Sequence, residues 1–335
     1  MHSLIALGLA AAAVACLASA APGQGSAQEE QPKMSFPQAR IANDAVSLVV
    51  YLPDAEKGYY RGTRFDWSGM IARVQFMGGR TVFGPFRTRL DPTLHDHVVG
   101  PAEEFDNENP PGYAGAKVGD AFMKIGVGLI EKVQEEKYGF WNRYKLVKPG
   151  TWVVAHGADW IQFDQQLALG GYAYAYTKRI SLKGMSFTIA HTLKNTGAKP
   201  LDVLTYCHNF VLLDDDPVGP NYRVVLPFRA RLEPKSDPAE ARVEGNEIAF
   251  KDTVKSSVML FLGGYTGAAA ENAATIENTR TGTALKFACD RPVVKYNFYA
   301  EKTAACPEPF IRLKIEPRKE EKWETAYTLI AGEKK

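Results

Sequence analysis

The sequence predicts an all-β fold, a sandwich or a barrel, carried in one large domain from about residue 35 to residue 332. Three observations predict it. Short apolar or alternating runs recur at intervals of roughly 8–12 residues, the spacing of strands in such folds. Turn residues separate the runs, and the 29 Gly and 20 Pro are scattered rather than gathered into a linker. No stretch carries the period of about 3.6 residues expected of a long amphipathic helix. The 45% apolar and 23% charged composition is that of a globular chain, which excludes disorder, collagen and coiled coil. Lys plus Arg number 40 against 38 Asp plus Glu with no basic block, so no nucleic-acid partner is expected.

Residues 4–20, LIALGLAAAAVACLASA, form one apolar run closing on Ala18, Ser19 and Ala20, the pattern of a cleaved signal peptide over residues 1–20. The run is shorter than the roughly 20 apolar residues that span a bilayer, and Pro22 and Gly23 follow it. The reading is therefore a periplasmic or secreted protein with no membrane span. Cys16, in AAVAC, offers lipoprotein processing as the weaker alternative. Residues 21–34 are a polar lead-in. Cleavage after Ala20 leaves Cys207, Cys289 and Cys306, which permit at most one disulfide. Cys289 and Cys306 flank a strand and are the candidates, and Cys207 reads as a buried free thiol.

The candidate strands follow in order. AVSLVVYL (45–52) and MIARVQF (70–76) precede the least regular part of the chain, and TWVVAHG (151–157), WIQFDQQL (160–167), YAYAYTKRISL (172–182) and SFTIAHTL (186–193) come after it. LDVLTYCHNFVLL (201–213), YRVVLPF (222–228), SSVMLFLGG (256–264) and ALKFAC (284–289) continue the series. VVKYNFYA (293–300), IRLKIEP (311–317) and WETAYTLI (323–330) close it. Tyr172, Tyr174 and Tyr176 share one strand face, suited either to stacking on a sugar or to sheet packing. GVGLIE (126–131) lacks the third glycine and the βαβ setting of a dinucleotide loop and reads as a strand and turn. LDDDP (213–217) lacks the spacing of a calcium loop and reads as a solvated turn.

The irregular segment from Gly78 to Gly119 is where a site is expected, because long loops in compact β domains usually serve one. Within it, HDHVVGPAEE places His95 and His97 ahead of Glu103 and Glu104. Two histidines and a carboxylate suit a divalent metal, but five residues separate His97 from Glu103 and no clear ligand set is completed, so no metal or other cofactor is predicted. Upstream, YYRGTRFDWSG (59–69) offers Arg64 as a planar donor and Asp66 as an acceptor that orients it, a set that recognises vicinal hydroxyls or a uronate. Strand alternation would put Arg64 and Asp66 on one face.

SFTIAHTLKNTGAKPLDVLTYCHNFVLL resembles the central stretch of the galactose mutarotase-like proteins, which include the aldose 1-epimerases. The turn Asn195-Thr196-Gly197 and His208 within YCHNF carry the resemblance, together with the C-terminal KYNFYAEKTAACPEPFIRLKIEPRKEEKWETAYTL. The resemblance implies a large antiparallel β-sandwich with a carbohydrate on a concave sheet face. It implies His208 and Glu301 as the acid and base that open and reclose a sugar ring, with Glu308 in the same segment as the alternative. It also makes His97 a second histidine lining the cleft, beside Arg64, Asp66 and Glu104 as substrate-binding residues. The chain departs from the pattern at Lys302, where a proline is usual after the glutamate, and at the IEPRKEE turn, which lacks its glycine. The expected function is that of an exported, aldose 1-epimerase-like enzyme acting on a free sugar or polysaccharide end. A noncatalytic carbohydrate-binding protein and a polysaccharide lyase or hydrolase are the alternatives.

Overall fold

The structure is a computed structural model and describes residues 36–86 and 91–333. The expected signal peptide, Cys16 and the polar lead-in lie outside the described residues. All thirteen expected runs contain strands, and ten further short strands bring the total among the described residues to 23. The helical content of those residues is a single three-residue 3-10 turn, Ala269–Glu271. No helix among them is long and apolar enough to cross a membrane.

Two large antiparallel sheets form the body. A ten-stranded sheet runs in the order Ala241–Glu244, Glu247–Phe250, Tyr222–Val225, Ala273–Asn278, Thr283–Cys289, Glu320–Ala331, Ser186–Asn195, Tyr172–Lys183, Trp160–Leu169 and Thr151–His156. A six-stranded sheet runs Arg231–Leu232, Val258–Gly263, Lys295–Glu301, Ala304–Ile315, Leu201–His208 and Ala102–Phe105. Inward side chains of the two interdigitate: Phe105 meets Tyr176 edge-on at 5.3 Å, and the Tyr296 hydroxyl donates across the gap to the Ala273 carbonyl at 2.8 Å. Tyr172–Lys183 alternates buried and half-buried residues, and Tyr174 and Tyr176 are inside, so this tyrosine row packs the sheets together. GVGLIE does form a strand, Gly128–Glu131, in a separate three-stranded sheet.

Two local expectations are corrected and one turn gains detail. LDVLTYCHNFVLL is not one strand: it ends at His208. Pro309 has no N–H to extend a ladder, and the pairing of Leu201–His208 with Ala304–Ile315 stops at Tyr206↔Phe310. Asn209 takes over by donating its side-chain amide to the Pro307 carbonyl at 2.7 Å, and Phe210 turns away with a positive φ of 38°. LDDDP is the expected solvated turn, and ion pairs add to its anchoring, with Asp215 on Arg73 at 2.8 Å and Asp216 on Arg280 at 2.6 Å. Cys289 and Cys306 are not bonded: they stand in different sheets, and Cys207, Cys289 and Cys306 are all free thiols.

Candidate functional site

The outer face of the six-stranded sheet gathers the expected histidine and its neighbours. The register sets Tyr206 opposite both Phe310 and Glu104, and Asn297 opposite Glu308, so alternation brings Glu104, Tyr206, His208, Asn297 and Glu308 to one face. The adjacent Glu103 points the other way, between the sheets. On this face His208 Nε2 lies 2.9 Å from Glu308 Oε1, with both side chains almost fully buried.

Aromatic rings enclose the pair. Phe210 stacks on the imidazole at 3.8 Å and 6°, Tyr299 meets it edge-on at 5.6 Å, and Phe65 does so at 5.9 Å. The left-handed backbone at Phe210 is what tucks that ring back onto His208, a strained conformation of the kind concentrated at functional sites. His208 Nδ1 is buried with no hydrogen-bond partner. With its N–H on Nε2 and directed at Glu308, the neutral ring presents a lone pair at Nδ1 to anything that enters.

Beneath the histidine lies a buried ion cluster. Arg64 Nε donates to Glu104 Oε2 at 2.8 Å, and a terminal nitrogen of Arg64 reaches the Tyr206 hydroxyl, also at 2.8 Å. Tyr206 donates to Glu104 Oε2 at 2.6 Å, and Lys124 Nζ stands 3.6 Å from Glu104 Oε1. The guanidinium is sandwiched between the rings of Phe140 at 3.9 Å and Phe65 at 4.4 Å. Burial opposes a charge on Glu104, but Arg64 and Lys124 overcome it and hold the carboxyl below its ordinary pKa.

The expected residues divide accordingly. His208, Arg64 and Glu104 come together. Glu301 does not contact His208: it pairs in register with Ala304 and accepts a hydrogen bond from Tyr299, while Glu308 meets the histidine. The expectation of Glu301 as the partner is thus corrected to Glu308, and a sequence signal was present, since Glu308 is followed by the proline that Glu301 lacks. Asp66 is corrected as well. Residues 59–69 form turns and bends rather than a strand, so alternation does not apply, and Asp66 turns between the sheets to Ser68, Tyr176 and Lys178. Glu104 takes the place expected of Asp66 in orienting Arg64. His97 is fully buried against the Tyr59 ring, 4.6 Å between centroids, and that ring stacks on Tyr51. His95 and His97 lie in a turn, Glu103 and Glu104 face opposite ways, and no metal-ligating cluster occurs among the described residues. Asn297 was missed, because only the register with Glu308 places it at the site.

Burial pulls the His208 pKa below its ordinary 6.5, with Glu308 only partly offsetting it. The unfolded chain therefore takes up a proton below pH 6.5 that the folded chain resists. The stability this histidine contributes is present above pH 6.5 and is lost as pH falls through the lower, folded value. Melting temperatures of wild type and His208→Asn, compared between about pH 7.5 and 5, should converge as pH drops; parallel curves would contradict the shift. Glu103 acts in a separate window. Burial opposes its charge, but Lys178 and His191 lower its pKa to about 2, so its contribution persists until pH falls below the carboxylate range.

No protein-family profile and no curated protein sequence matches the chain. Solved structures share its fold. A putative aldose 1-epimerase from Escherichia coli K12 is 14% identical with a TM-score of 0.56, over 89% of this chain and 100% of that one. The GalM/aldose epimerase homologue from C. elegans is 11% identical with a TM-score of 0.53, over 89% and 100% of the two chains. A galactose mutarotase-like protein from Lactobacillus casei is 11% identical with a TM-score of 0.50, over 87% and 99%. The likeness is one of fold: the chain shares the antiparallel β-sandwich architecture of these galactose mutarotase-like structures.

Proposed function

We propose that this galactose mutarotase-like sandwich is an exported, carbohydrate-active protein that exchanges the anomers of a free sugar or sugar end by acid–base catalysis. The observation that carries the reading is the pairing of His208 with Glu308 on the outer face of the six-stranded sheet, inside an aromatic enclosure. Exchange of anomers requires a proton to leave the anomeric hydroxyl while another reaches the ring oxygen. Two groups that accept and donate protons within reach of both oxygens perform it, and then reverse it on the other face. An imidazole kept neutral by burial and a carboxyl beside it are such a pair. Aromatic rings suit the apolar faces of a sugar, and Asn297 Oδ1, buried without a partner next to Glu308, suits a hydroxyl. Export rests on residues 1–20 of the sequence.

NMR exchange spectroscopy on a panel of aldoses and uronates tests the activity, with acceleration over buffer as the expected result and none on any sugar as the contrary one. A second reading has its own observation. Phe210 lies flat on His208 and Glu308 bonds it directly, so the chemical groups are occupied by each other and by a ring. On that reading the protein binds carbohydrate without turnover, and saturable glycan binding with no anomer exchange would favour it.

A further inference from the structure

Between the two sheets, away from His208, lies a second cluster that the proposed reaction does not use. Lys178 is completely buried; its Nζ contacts Glu103 Oε2, lies 3.4 Å from Asp66 Oδ2 and donates to the Ser68 carbonyl at 2.7 Å. Ser68 donates its N–H to Asp66 Oδ1 at 2.9 Å, and its hydroxyl lies 2.9 Å from Oδ1 and 2.8 Å from Oδ2. The Tyr176 hydroxyl donates to Asp66 Oδ2 at 3.0 Å. His191 Nε2 stands 3.2 Å from Glu103 Oε1, stacked at 4.5 Å on Trp323. The packing leaves no slack, since a Cβ on Gly69 would come within 3.0 Å of Lys178 Cε and one on Gly126 within 2.7 Å of Asp66.

We propose that this is a self-modification site at which Lys178 and Asp66 join in an intramolecular isopeptide bond, with Glu103 as the proton acceptor. An amine, a carboxyl group and a second carboxyl group in contact inside a dry, aromatic-walled core form the minimal set for amide condensation without an added reagent. Burial raises the Asp66 pKa, which favours the neutral acid, the better electrophile. At rest the pairing favours the Lys178 ammonium and the Glu103 carboxylate; the reactive form is the minor one in which one proton has moved to Glu103, and its freed amine attacks Asp66 Cγ. The developing charge on Oδ1 falls where the Ser68 N–H already points, with the Ser68 hydroxyl shared between the two carboxyl oxygens. The Cγ–Oδ2 bond breaks with Oδ2 taking up a second proton from the nitrogen, and water departs. Of the four protons present at the start, one remains on the amide nitrogen, two leave in the water and one stays on Glu103; net charge is unchanged. A cavity of about 30 Å³, lined in part by Glu103, His191, Thr205 and Cys207, has room for a departing water.

The bond would tie the loop of residue 66 to the ten-stranded sheet. The experiment is the mass of the denatured full-length protein, counted from the N-terminus observed in the same spectrum. The expected mass is about 18 Da below that of the linear chain, the loss of one water. A branched tryptic peptide should join residues 65–73 to the Lys178 segment. Lys178→Arg, which keeps the charge without a nucleophilic amine, and Glu103→Gln should both restore the linear mass. Wild-type protein at full linear mass, or a linkage between any other residues, overturns the proposal. The wild-type spectrum decides this even if a variant fails to fold, and neither result depends on sugar turnover.

Discussion

His208→Gln and Glu308→Gln should each slow anomer exchange by about 10²–10⁴-fold, the usual contribution of a positioned acid or base, while Glu301→Gln stays close to wild type. The expectation follows from register. Asn297↔Glu308 and Glu301↔Ala304 are pairs of one hairpin, and only the former lies where His208 projects. The same NMR exchange measurement on the three variants checks it, with far-UV spectra and melting curves to show that each is folded. Loss of activity in Glu301→Gln with retention in Glu308→Gln would return the role to Glu301. The rate should also decline as pH falls through the folded His208 value, which burial places below the ordinary 6.5, so the variants are best compared near neutral pH.

Glu104→Gln should destabilise the fold by about 3–5 kcal/mol, the range for breaking a buried ion pair by removing one partner. Glu104 is completely buried and is the carboxylate shared by Arg64 and Lys124, so an amide in its place leaves two buried cations without their counter-charge. Asp202→Asn is the control, because its partner Arg312 and Asp202 itself are both about half exposed, and such surface pairs contribute about 0–1 kcal/mol. Urea unfolding midpoints of the two variants measure the contrast. Equal, small losses would mean that the Arg64 cluster is solvated and not the dry floor of the site.

Much of the fold was legible because strand patterning is local. Alternation along Tyr172–Lys183 and Ser186–Asn195 states which residues are buried, and each expected run contains a strand. The short strands were not legible: Ala102–Phe105 carries two adjacent glutamates in four residues and reads as loop, yet it completes the six-stranded sheet and supplies both Glu103 and Glu104. Of the candidate site, His208, Arg64 and Glu104 were read from the chain, whereas Glu308 was only the alternative and Asn297 was not seen.

By itself the sequence pattern determined that this chain is an all-β sandwich or barrel, because a two-residue hydrophobic period and frequent turns leave few other ways to bury its apolar side chains. It also determined which residue types were available for proton chemistry. Only the tertiary structure decided their partners. Glu308 rather than Glu301 faces His208 because of hairpin register and the break imposed by Pro309, and Asp66 left Arg64 for Lys178 because residues 59–69 bend instead of running as a strand. A side chain's face follows from local periodicity, but its partner across the sheet depends on pairings between segments about a hundred residues apart, which no local pattern encodes.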